Sequence, residues 1–330
     1  TIADQINKLT QLLASSLEGA GYKIMHSNYF DTIRFKADGW KKTANEMKLN
    51  FRDFNDGSVG ISISEDTDMS QIKSILDVFN AKEKFPKSSS IPSELKRETS
   101  FLDHPIFHNY RSETAMLRYI HKLETKDLSL NTSMIPLGSC TMKLNSTTEM
   151  MPVTWPQFNN IHPFVPKEQT EGYLRLISEL SNWLIKITGF DAISMQPNSG
   201  AQGEYAGLMT IRAFHLDKGH DKRNICLIPS SAHGTNPASA IMAGMKVVIV
   251  DCDKHGNIDE NDFEKKVILH KKHLAAVMIT YPSTHGVFEH NIIELCELVH
   301  KYGGQVYMDG ANLNALVGLC KPGKFGADVM

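Results

Sequence analysis

Asn224-Ile-Cys-Leu-Ile-Pro-Ser-Ser-Ala-His-Gly-Thr-Asn-Pro-Ala-Ser239 is an apolar run that breaks off into small and polar residues and then resumes as a helix. Residues 224–228 read as a strand and 236–243 as a helix. The exchange continues on both sides: helix 170–188, a strand-like 192–195, helix 202–215, strand 246–250, helix 259–271, strand 275–280, helix 290–302 and strand 305–308. Short apolar runs alternating with helices predict a predominantly parallel sheet with helices on both faces. In such sheets ligands bind at the carboxyl ends of the strands. The segments that leave the strands at that edge therefore carry the chemistry.

Three of them are glycine-punctuated. Asn198-Ser-Gly-Ala-Gln-Gly-Glu204 opens a helix, where the backbone N–H groups of Ser199, Gly200 and Ala201 and the Ser199 hydroxyl suit a dianionic phosphate. By itself it is equally a glycine-assisted strand–helix corner. Ser231-Ala-His-Gly-Thr-Asn-Pro-Ala-Ser239 offers the imidazole of His233, either to lie on a flat ring or to cap the following helix. Tyr307-Met-Asp-Gly-Ala-Asn312 ends a strand in Asp309, with Gly310 and Ala311 small enough to leave a ring room. A buried carboxylate facing a pyridine nitrogen keeps that nitrogen protonated and makes the ring an electron sink; otherwise Asp309 caps the next turn. Together the three describe a pyridoxal-phosphate pocket.

A fourth segment, Thr280-Tyr-Pro-Ser-Thr-His-Gly286, leaves its strand at the same edge. There Thr284 or His285 is expected to bond the ring hydroxyl or to shuttle a proton, His being suited to work near neutral pH. Within Gly138-Ser-Cys-Thr-Met-Lys143, the residues Ser139 and Cys140 are candidates for a substrate-facing loop, and Lys143 invites a Schiff-base reading that no spacing supports.

The first eighty residues have a different texture. Ile6, Leu9, Leu12, Leu13 and Leu17 follow helical spacing, 59–64 alternates as a strand does, and Ile72, Ile75, Leu76 and Val78 line one helix face. Residues 1–81 are thus expected to form a small α+β domain, 82–99 a solvated Lys/Pro/Ser linker, 100–168 an irregular helical and loop segment covering the active site, and 169–330 the large domain. With 330 residues, 41% hydrophobic, the chain is long enough for two cores. A net charge of −2 offers neither nucleic acid nor an anionic membrane an electrostatic partner. Its five cysteines are scattered without a C-x-x-C pair, so neither a disulfide frame nor a structural metal is expected, and reduced thiols point to an intracellular compartment.

Five runs resemble one family: Ile135-Pro-Leu-Gly-Ser-Cys-Thr-Met-Lys-Leu-Asn145, Gln196-Pro-Asn-Ser-Gly-Ala-Gln-Gly-Glu-Tyr-Ala-Gly207, Ser231-Ala-His-Gly-Thr-Asn-Pro-Ala-Ser239, Thr280-Tyr-Pro-Ser-Thr-His-Gly286 and Gln305-Val-Tyr-Met-Asp-Gly-Ala-Asn312. They are similar to runs of the glycine-cleavage system P-protein, a pyridoxal-phosphate-dependent oxidoreductase. The resemblance covers essentially the whole chain and implies an aminotransferase-like (fold type I) large domain, incomplete at its C-terminus, preceded by the end of a homologous first half. It implies glycine decarboxylation in glycine catabolism, with transfer of the aminomethyl group to the lipoyl arm of the H-protein. It also implies association with the T- and L-proteins and a homodimer, in the mitochondrial matrix of a eukaryote or the cytoplasm of a bacterium. By position it makes Ser199, Gly200 and Ala201 the phosphate turn, His233 the stacking residue, and Asp309 with Ala311 the ring partners. The family's Schiff-base lysine follows the position of 326–329 by a few residues, so it is expected to lie outside this stretch.

Two other readings stay open from the residues alone. One is a binding or assembly fragment without chemistry; the other is a different pyridoxal-phosphate lyase or aminotransferase, distinguished by an acceptor other than the lipoyl disulfide.

Overall fold

The computed structural model describes residues 1–86, 90–127 and 146–330. They form two compact units, Thr1–Leu123 and Glu124–Met330.

The first unit packs helices on a three-stranded antiparallel sheet. Helix α1 (Ile2–Gly19) leads to β1 (Thr32–Lys36), α2 (Trp40–Glu46), the two-residue β2 (Arg52–Asp53), β3 (Ser58–Ser62) and α3 (Met69–Val78), then α4 (Ile106–Asn109) and α5 (Glu113–Glu124). The sheet order is β1-β3-β2. Leu13 and Leu17 of α1, Ile33 and Phe35 of β1, Val59 of β3 and Ile72 of α3 are buried in one cluster. The rings of Tyr22, Phe35 and Phe79 meet edge-on there. A capping box between Asp68 and Gln71 starts α3. The segment drawn from composition as a solvated linker is tied back to this unit. Lys84 N donates to Ser16 Oγ (2.9 Å), and the buried Ser90 donates to Tyr29 O (2.8 Å) while accepting from Asn7 Nδ2 (3.3 Å). Residues 82–85 and 93–99 are exposed, as the composition predicts, and the buried Ser90 is the polar side chain that departs from it.

The second unit begins with the short α6 (Thr147–Met150) and α7 (Pro156–Asn159), followed by α8 (Glu171–Thr188) and α9 (Gly200–Asp217). Strands then alternate with helices: β4 (Ile225–Pro229), α10 (Thr235–Met242), β5 (Lys246–Val250), α11 (Glu260–His270), β6 (Leu274–Thr280), α12 (Ile292–Lys301) and β7 (Gln305–Asp309). All pairings are parallel, in the order β5-β4-β6-β7. Side chains alternate faces as the pleat requires. Leu227, Val277, Ile279, Val306 and Met308 pack with Phe263, Val267, Leu295 and Val299 of α11 and α12. On the opposite face Cys226, Ile228, Ala276, Met278 and Tyr307 pack with Leu208, Ile211 and Ala240 of α9 and α10. Both faces of β6 are therefore covered, and all seven of its residues are buried.

The strand-like 192–195 joins no ladder. Ile193 and Met195 are exposed, and the free edge of β7 is occupied from within the unit: Asp328 N donates to Val306 O (2.9 Å) and Met308 N to Val329 O (2.8 Å). Trp155, Phe158 and Phe164, in the segment expected to cover the active site, are exposed, as are Leu174, Leu176, Ile177 and Trp183 of α8.

Candidate functional site

From β4 the chain crosses to β5 on one side, then returns past β4 to β6 on the other. In open α/β sheets ligands bind at such a reversal, here the carboxyl ends of β4 and β6. Thr280 and Asp309, the last residues of β6 and β7, are register partners at that edge. His233 stands four residues beyond the end of β4. Three neighbouring strands thus bring one group each to the same place.

The Asp309 carboxylate is the hub. It is 6% exposed, and its Oδ2 accepts from His233 Nε2 (3.0 Å), Asn236 Nδ2 (3.2 Å) and Thr280 Oγ1 (3.4 Å). Ala311 N donates to Oδ1 (3.0 Å). Thr235 N donates to His233 Nδ1 (3.2 Å), so Nδ1 is an acceptor and Nε2 carries the proton given to Asp309. Asn236 is fully buried, and its Oδ1 has no partner among the described residues.

A second carboxylate faces the same imidazole. Glu204, 5% exposed, accepts from Ser239 Oγ at 2.7 Å on one oxygen and places the other 3.8 Å from His233 Nε2. Burial pushes Glu204 above the ordinary glutamate range; the Asp309 charge pushes the same way, while the Ser239 hydrogen bond and His233 pull it back. Burial, Asp309 and Glu204 together raise the Tyr307 hydroxyl. The ligand atoms of Glu204, His233 and Asp309 lie within 4.8 Å of one another. An ion could bridge that span, yet hydrogen bonds already engage both carboxylates and the imidazole.

The phosphate turn expected from sequence is the start of α9. Ser199 is its N-cap and accepts from Gln202 N (3.3 Å), while Asn198 N donates to Gln202 Oε1 (2.8 Å). Ser199, Gly200 and Ala201 are exposed, and the first N–H groups of a helix have no carbonyl behind them. A Cβ built at Gly200 would meet nothing within 4 Å, which leaves the space before the helix open.

Thr284 and His285 fall in the tight turn after β6, closed by Ser283 N to Val287 O (2.9 Å). Thr284 is half-buried, whereas His285 is exposed with its Nδ1 3.2 Å from where a Cβ on Gly256 would stand. The ring thus lies over the turn that follows β5. Ser139, Cys140 and Lys143 lie outside the described residues.

Sequence reasoning passed over Glu204, Asn236, Ser239 and Thr280. The signal for Glu204 was its spacing: with Gly207, Leu208, Ile211 and His215 it lies on the buried face of α9, and a carboxylate on such a face requires a partner. Thr280 was marked by its place at the end of a fully buried strand.

The second unit, a parallel α/β sheet with an imidazole, a hydroxyl and a carboxylate meeting at its switch point, has the aminotransferase-like, fold type I architecture. It shares its fold with a crystal structure of glycine decarboxylase (P-protein) of the glycine cleavage system in inhibitor-bound form, at a TM-score of 0.56 and 17% identity over 80% of this chain and 56% of that one. Residues 1–79 and 84–330 match the glycine cleavage system P-protein family, and the chain belongs to it. It is 55% identical over 334 residues to glycine dehydrogenase (decarboxylating) of Thermosynechococcus vestitus. To the protein of that name from Pelagibacter ubique it is 52% identical over 337 residues. Each alignment covers 99% of this chain and 35% of the relative, so the chain spans about a third of the length of the curated relatives it matches.

Proposed function

We propose that these residues belong to the cofactor-binding part of a pyridoxal-phosphate-dependent glycine dehydrogenase (decarboxylating). In this reading the whole protein releases CO₂ from glycine and passes the aminomethyl group to the lipoyl arm of an H-protein, working with T- and L-proteins and as a homodimer. The observation that carries it is the convergence of His233, Asn236 and Thr280 on the buried Asp309 at the switch point, in a chain of this family.

The donor set fits the cofactor. Asp309, oriented by four donors, would hold a proton on the ring nitrogen, and the open start of α9 would take the phosphate through Ser199, Gly200 and Ala201. His233, fixed by Thr235 N, would lie on the ring, with Ala311 beside it and Thr284 toward the ring hydroxyl. His285, in the same turn, is the other candidate for that hydroxyl or for proton movement. When bound, pyridoxal phosphate supplies a protonated ring that accepts the electrons released with CO₂. The chain's own contribution is to keep that charge in place: Asp309 is buried away from competing water, and its hydrogen-bond donors prevent it from turning.

The test is Asp309→Asn in the full-length protein. An amide cannot hold the ring nitrogen protonated, so exchange of labelled CO₂ into glycine should fall at least about 100-fold. Exchange near the wild-type rate would refute the assignment.

A further inference from the structure

His233 Nε2 has one proton and two carboxylates to give it to, Asp309 Oδ2 at 3.0 Å and Glu204 Oε1 at 3.8 Å. Asp309 Oδ2 is already crowded, with three donors on an oxygen that has about two lone-pair sites. A ring nitrogen arriving at Oδ2, rather than at Oδ1 with its single donor Ala311 N, displaces one of them. Asn236 is fully buried and Thr280 belongs to the strand end, whereas His233 sits in a loop and has a second acceptor less than about 1 Å beyond hydrogen-bond range.

We infer that Glu204 is a positioning residue: when Asp309 is taken by the ring nitrogen, the Nε2–H of His233 passes to Glu204 Oε1, so that one carboxylate serves the cofactor and the other holds the imidazole. The geometry prepares this exchange. Ser239 clamps the far oxygen of Glu204 at 2.7 Å, and Thr235 N keeps Nδ1 an acceptor, so the exchanged proton stays on Nε2. Glu204 is buried on the face of α9 that packs against the sheet, which prevents it from following solvent. Its raised protonation range fits a carboxyl group awaiting a donor. Asp309, His233 and the Tyr307 hydroxyl are the ionisable groups that face Glu204 in this cluster.

The inference rests on the assignment of Asp309 to the ring nitrogen, and the test separates the two. Pyridoxal-phosphate affinity is measured by equilibrium dialysis on the full-length protein with Asp309→Asn, Glu204→Ala, Glu204→Gln and Ser239→Ala. Glu204→Ala should weaken binding about tenfold, Ser239→Ala by less, and Glu204→Gln, which keeps an acceptor oxygen, should recover most of the loss. A crystal structure of the complex should place His233 Nε2 within hydrogen-bond distance of Glu204 and beyond it from Asp309; this decides the matter if Glu204→Ala fails to fold. Wild-type affinity in Glu204→Ala beside weakened binding in Asp309→Asn overturns the inference alone. So does a complex in which His233 still donates to Asp309 or turns to Asn236 Oδ1. Wild-type affinity in Asp309→Asn overturns the assignment and the inference together.

Discussion

Two glycines of α9, four residues apart, should respond differently to alanine. Helix propensity favours alanine at both, by about 1 kcal/mol. At Gly203 nothing lies within 4 Å of the added carbon, so that gain is realised. At Gly207 the same carbon would overlap Tyr307 Cε2 and stand 2.9 Å from both Tyr307 Cδ2 and Val329 Cγ1. Tyr307 is 4% exposed and packed among Leu208, Ile211 and Met278, so the ring cannot swing clear and the helix must lift from β7. Overpacking of this kind costs about 1–3 kcal/mol. Gly207→Ala should therefore be less stable than Gly203→Ala by about 1–3 kcal/mol, the shared propensity gain cancelling in the difference. Chemical denaturation followed by a probe in the second unit, with amide exchange at β7, measures it. Equal stability of the two variants would refute the idea that contact between Gly207 and Tyr307 sets the seat of α9. The consequence reaches the site, because Glu204 is one turn before Gly207 and Asp309 is two residues after Tyr307.

Other outcomes follow from local chemistry. Glu289 is buried with both oxygens facing Ile258 N (3.2 and 3.1 Å), and burial raises its protonation range. A carboxyl group whose folded value is raised adds stability below its unfolded value and loses it as pH rises through the folded one. Glu289→Gln should gain stability relative to wild type as pH rises above the ordinary glutamate range; a pH-independent difference in denaturation midpoints would contradict this. Asp68→Ala removes the capping box of α3 and should cost about 1 kcal/mol, read in the first unit by amide exchange along α3. Burial pushes the Cys226 and Cys296 thiols up to about 12. Both should escape alkylation in the native protein while the half-buried Cys252 and Cys320 react, as mapped by mass spectrometry; labelling of Cys226 without unfolding would count against the packing of β4.

The alternation of helices and strands in the second unit was legible in the sequence because it is a local property. A run such as 275–280, apolar throughout, suits only a strand covered on both faces, and the helices between the strands show their own spacing. The strand ends also located His233 and Asp309 on one edge, since every parallel strand presents its carboxyl end to the same side. Segment 192–195 was misread because four residues cannot report whether a neighbouring edge is free, and here Asp328 and Val329 occupy it. Within 82–99 composition did not single out Ser90, because a serine looks the same in sequence whether water or Tyr29 O is its partner. Strand order was the decision that tertiary structure alone could make. Placing β6 between β4 and β7 brings Thr280 and His233 to the same oxygen of Asp309, and docking α9 on that sheet carries Glu204 to the same imidazole. Hydrogen bonds between residues 29 to 76 positions apart depend on that packing, because no local pattern of side chains encodes the distance between strand ends.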